Sequence, residues 1–153
     1  MKLEIEQLSK IYPNRKQALQ EITLTLEAGV YALFGENGAG KTTLMKILAG
    51  LLRPSQGVIR VDGHVVSPLE ETYRERIGYL PQETPIYGDF TAKQFLTYLA
   101  TVKGVPKSAI VSRVEQALID VNLLEQKDQK LRRFSGGMKR RIGIAQLLLN
   151  DPD

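Results

Sequence analysis

The chain of 153 residues has no cysteine. That excludes a disulfide framework and a thiolate metal site. It suits a reducing cytosol. The only histidine, His64, falls in a turn with no second ligand-type residue nearby. A surface turn residue is the expected reading, not a metal ligand. No window approaches the roughly 20 apolar residues that a membrane-spanning helix needs. Any membrane role must therefore come through a partner chain. The start, Met1-Lys-Leu-Glu-Ile-Glu, alternates apolar and acidic residues. It lacks the basic and apolar regions of a signal peptide. Internal repeats and low-complexity segments are absent too. A large excess of one charge is lacking too: 21 basic residues face 17 acidic ones, for a net +4. A nucleic-acid binder more often concentrates basic residues and aromatics on one face, so no nucleic-acid partner is expected.

What the chain does contain is enough apolar residue for a core. Hydrophobic content is 42% and charged content 25%, both globular values. The length suits one domain. The stretch that organises it is Gly35-Glu36-Asn37-Gly38-Ala39-Gly40-Lys41-Thr42-Thr43. It fits G-x-x-x-x-G-K-[ST]. A chance match in a chain this long is below about one in a hundred. An apolar run, Val30 to Phe34, leads in, and a helical pattern from Leu44 to Ala49 follows. Strand, glycine loop and helix make the context of a phosphate-binding loop. Its glycines let the backbone approach a ligand closely, and its N–H groups form an anion nest at a helix start. Lys41 is expected to reach the β- and γ-phosphates of a nucleotide, and the Thr42 hydroxyl to sit on Mg2+. A dinucleotide loop needs G-x-G-x-x-G, a spacing that glycines 35, 38 and 40 do not make.

In chain order, Leu3 to Leu8 suggests a first strand and Ala18 to Leu26 a second. Gly50 is placed to cap the helix after the loop. Residues 58–66 read as a hairpin on Asp62-Gly63. Ile77 to Leu80 reads as a short strand, and Glu70 and Glu71 as solvated residues of a polar loop. Thr91 to Gln94 makes a capping box, with Phe90 and Phe95 as its hydrophobic staple. Phe95, Leu96, Leu99 and Val102 share one helix face, and Gly104 ends that helix. A second helix opens near Pro106 with Ile110, Val114, Leu118 and Val121. A third carries Met138, Ile142, Ala145 and Leu149.

Three further stretches narrow the class. Phe134-Ser135-Gly136-Gly137-Met138 resembles the Leu-Ser-Gly-Gly-Gln signature of ABC-type ATPases. Gln82 looks like that family's Q-loop glutamine. Tyr12 looks like its adenine-stacking aromatic. Order and spacing match from residue 1 onward. The resemblance implies an α/β fold: a P-loop NTPase core (1–84 and 136–153) with an antiparallel N-terminal β part and a helical insert (85–135), in one incomplete domain. It implies ATP and Mg2+ as ligands, with Thr42 and Gln82 at the metal. It implies a head-to-tail dimer with a second ATP-binding subunit. There, Ser135, Gly136, Gly137 and Met138 close over the γ-phosphate held opposite. It implies a transmembrane permease as partner, and so a cytoplasmic place peripheral to the membrane. The residues agree with this: Ser135 is a good N-cap and the two glycines bare N–H groups at a helix start. Tyr12 also reads as a half-buried tyrosine at a strand end. Gln82 also reads as a polar residue after a turn.

Met138 and Phe134 depart from the family's glutamine and leucine. Glu36 puts a carboxylate beside the phosphate loop and is expected to point outward. The resemblance covers the N-terminal two-thirds of the family domain. The strand ending in a metal-binding aspartate, and the water-activating glutamate after it, lie beyond that part, so hydrolysis by these 153 residues is doubtful. Asp151 and Asp153 precede that strand and read as helix-end and turn residues. The expected P-loop strand would then have unpaired edges. Arg132, Arg133, Lys139, Arg140 and Arg141 read either as a solvated helix start or as a positive field drawing in nucleotide. The other readings left open are a soluble ABC-type ATPase acting on ribosomes or DNA, and a non-functional fragment.

Overall fold

A computed structural model describes residues 1–82 and 85–149. Asp151 and Asp153 lie outside the described residues. The chain forms two compact units, Met1–Ile77 and a second from Gly78 onward. Each has its own apolar core.

The first unit is built on a four-stranded antiparallel sheet in the order β2-β1-β3-β4. Its strands are β1 (Leu3–Ile11), β2 (Gln17–Leu26), β3 (Gln56–Val61) and β4 (His64–Val66). Alternation sends Leu3 and Ile5 inward. A bulge at Gln7, where φ is 49°, then shifts the phase so that Leu8 is buried as well. Glu21, with φ of 45°, does the same in β2 and lets buried Leu19 precede the face of Ile22. The Asp62-Gly63 hairpin forms as expected, with both residues at positive φ. The helix α1 (Lys41–Leu48) buries Leu44 and Ile47 in the same core as the sheet. It stops at Gly50, whose φ is 71°. The Gly50 and Leu51 amides donate to the carbonyls of Ile47 and Lys46, a Schellman closure. A short helix, α2 (Glu71–Glu75), stands where a polar loop was expected. Tyr73 anchors it: the ring is buried and its hydroxyl donates to the Leu48 carbonyl at 2.7 Å.

Two expected strands do not form. Residues 30–34 and 77–80 have no ladder partner among the described residues. A strand is stabilised by its neighbours, and an apolar run without them stays irregular. Val30 is 103% exposed and Phe34 88%.

The second unit packs three helices, α3 (Ala92–Val102), α4 (Lys107–Asp120) and α5 (Gly136–Leu148). Phe95, Leu96, Val114, Leu118, Ile142 and Ala145 meet in its core. Val102 departs from the expected face and is exposed. Thr91 caps α3 in a full capping box with Gln94. The staple is more elaborate than two phenylalanines. Tyr87 stands 5.6 Å from Phe90 and 6.1 Å from Phe95, ring centre to ring centre. Gly104, at φ of 77°, closes the helix.

Candidate functional site

The glycine loop of residues 35–40 folds back on itself through Lys41. Its Nζ donates to the carbonyls of Gly35 at 2.5 Å and Glu36 at 2.7 Å. Gly40 precedes α1 at φ of 88°. A side chain there would press into the Ala18 carbonyl and Leu19, so only glycine brings the loop this close to β2. Gly38 is also at positive φ, with open space around it. α1 has no side-chain cap. Its opening amides, of Lys41, Thr42 and Thr43, are therefore free to face an anion. Glu36 is exposed, as are Asn37, Ala39 and Thr42.

These residues fit a nucleoside triphosphate: a glycine cradle, uncapped amides and the Lys41 cation, held at the loop carbonyls. Among the described residues no group of three or more His, Cys, Asp or Glu could hold a metal ion. Thr42, whose hydroxyl a Mg2+ site would need, is exposed in the first turn of α1.

Tyr12 belongs to the same unit, directly after β1. Its hydroxyl lies 3.3 Å from Thr43 Oγ1, in the first turn of α1. Lys10 Nζ lies over the Tyr12 ring, 5.5 Å from its centre. Lys10 is absent from the sequence-based set of site residues. Strand alternation does not point to it: Tyr12 lies just past β1, and the register shifts between Lys10 and Ile11.

In the second unit, the segment before α5 is held by the segment before α3. The Leu131 and Arg132 amides donate to the carbonyls of Phe90 and Gly88. This docking sets where α5 begins. Ser135 caps it, its Oγ accepting the Met138 N–H at 3.2 Å. Gly136 and Gly137 are exposed with nothing within 4 Å of where a Cβ would be. Phe134 is buried and Met138 packs against the helical core, so both departures from the signature serve packing. A cavity of about 370 Å³ lies between Leu80, Pro81, Gln82, Ile86, Gly136, Lys139 and Arg140. It brings Gln82 together with the signature. Two of the five basic residues here have structural roles. Arg141 donates to the carbonyls of Val121 and Asn122, closing α4, and Arg132 pairs with Asp89.

A profile of the ABC transporter family matches residues 19–153. The chain belongs to the ABC transporter family. The ABC transporter ATP-binding protein NatA of Bacillus subtilis is 38% identical over 139 residues, covering 90% of this chain and 56% of NatA. The methionine import ATP-binding protein MetN 2 of Paraburkholderia xenovorans is 36% identical over 157 residues, covering 97% of this chain and 41% of MetN 2. The solved structure of cbiO1 from Clostridium perfringens, part of the ABC transporter complex cbiONQ, superposes with a TM-score of 0.86 at 29% identity. It covers 98% of this chain and 62% of cbiO1. This ABC transporter chain thus spans about half the length of the curated relatives it matches. Its α/β fold is the one the resemblance implied. Its candidate residues fall in two groups: Tyr12 with 35–43 in the first unit, and Gln82 with 135–138 in the second.

Proposed function

We propose that the chain is the nucleotide-binding part of an ABC transporter's ATP-binding subunit. Gly35 to Thr43 cradle the phosphates of ATP, Lys41 reaches the outer phosphates, and Thr42 meets Mg2+. Gln82 approaches the metal or the attacking water. Ser135, Gly136, Gly137 and Met138 present a second helix start to ATP held by another ATP-binding subunit, head to tail. ATP-driven closure of that pair moves a transmembrane permease, which holds the subunit at the cytoplasmic face of the membrane. Among the described residues no helix is long and apolar enough to cross a membrane, so the span is assigned to the partner.

The observation that carries this reading is the geometry at Gly40. The loop is pressed against β2 where no side chain fits, and the helix that follows has no cap of its own. Thermal unfolding with and without Mg-ATP tests it. ATP at about 100 times its Kd stabilises by roughly 2.7 kcal/mol, and Lys41→Ala is expected to lose the shift. An equal shift in Lys41→Ala would sink the assignment.

A further inference from the structure

We propose that Lys10 is a positioning residue for the nucleotide base. Its ammonium covers one face of the Tyr12 ring and readies the other face to stack adenine. The inference rests on the reading of Tyr12 and residues 35–43 as an ATP site.

The geometry is constrained at both ends. Lys10 Nζ, 5.5 Å from the ring centre, also donates to the Arg53 carbonyl at 2.7 Å. The cation is therefore tethered over the ring. The segment that carries Arg53 is itself tied to the end of β1. The Ser55 amide donates to the Ser9 carbonyl, and Ser55 Oγ accepts from the Ile11 amide. Tyr12 is held in turn by a tight turn, its amide donating to the Lys16 carbonyl and its carbonyl accepting the Arg15 amide. Its hydroxyl contact with Thr43 sets the ring beside the helix start that offers amides to phosphate. Tyr12 as a residue is half-buried, so part of it remains accessible.

The chemistry follows from the ring's quadrupole. A cation over one face draws π density toward itself. The opposite face becomes poorer in electrons and stacks better on an electron-rich purine. A cation held over an exposed ring is worth about two- to fivefold in an equilibrium constant. The ring itself, as a stacking platform, is worth about fivefold or more.

The test compares Mg-ATP with magnesium tripolyphosphate, which has the phosphates but no base. Affinities are measured by calorimetry on the full-length protein, its Lys10→Gln and Tyr12→Leu variants, and the double variant. Lys10→Gln is expected to weaken ATP measurably, by no more than the roughly two- to fivefold that the cation–ring contact is itself worth, and to leave tripolyphosphate unchanged. In the Tyr12→Leu background the same substitution is expected to do nothing. Equal weakening of both ligands would show a plain charge effect and overturn the proposal. So would an undiminished ATP affinity in Lys10→Gln, or a loss that persists without the ring. If Lys10→Gln loses cooperative unfolding, Lys10→Arg replaces it. That variant keeps the cation and must bind ATP as the parent does; a loss matching the range above overturns the proposal. Failure of the underlying reading looks different: Tyr12→Leu would then weaken neither ligand, or both alike.

Discussion

At Gly40 a single hydrogen atom in place of a methyl group decides whether the loop can form. The residue sits at φ of 88°, and a Cβ would meet a backbone carbonyl, which cannot swing away. Gly40→Ala is expected to cost at least about 2 kcal/mol, read as a lower thermal midpoint. Gly38→Ala, with φ of 91° but open space, should cost only the backbone strain of about 1–2 kcal/mol. Equal costs would show that the Ala18 contact is unimportant. Tyr73 gives a second residue-scale expectation. Burial pushes its hydroxyl up from 10.0 to about 12. The folded chain therefore holds this proton more tightly than the unfolded chain. The stability it confers is complete below about pH 10 and is lost as pH climbs to about 12, on the order of 2 kcal/mol. Urea midpoints between pH 9 and 12 should fall less steeply in Tyr73→Phe; parallel curves would exclude the linkage.

At the scale of elements, α1 and α5 begin in opposite ways. α1 follows a glycine and carries no side-chain cap, whereas α5 is capped by Ser135. The first leaves its amides to a ligand, and the second is partly self-sufficient. Ser135→Ala is expected to cost about 0.5–2 kcal/mol through lost capping alone. A denaturation midpoint unchanged within error would mean the cap contributes nothing. Capping box, hairpin and glycine stops were legible because each is a local device, read within about four residues. The two missing strands were not legible in the same way. Residues 30–34 have the composition of a strand, but strand formation depends on neighbours that composition does not name. The α2 helix escaped notice for the opposite reason. Its five residues show no apolar period, and what holds it is the distant bond from Tyr73 to Leu48.

On the scale of the whole molecule, the apolar run before the loop is the exposed feature with the clearest consequence. Val30, Tyr31, Leu33 and Phe34 are all exposed, and unpaired apolar backbone is a template for association. For these 153 residues, Val30→Thr with Phe34→Ser is expected to lower self-association in light scattering and to leave the thermal midpoint unchanged. A lower midpoint would show that the run is packed in solution.

The phosphate loop, the helix stops and the serine-glycine-glycine helix start follow from the sequence by itself. Each depends on backbone freedom and hydrogen-bond chemistry within a few residues, and all lie inside residues 19–153, which the ABC transporter family profile matches. The tertiary structure decided what lies against them. It set Thr43 on Tyr12, Ala18 on Gly40, and Gln82 beside Gly136. Such neighbours come from strand register, bulges and packing between residues far apart in the chain, and no local pattern specifies them.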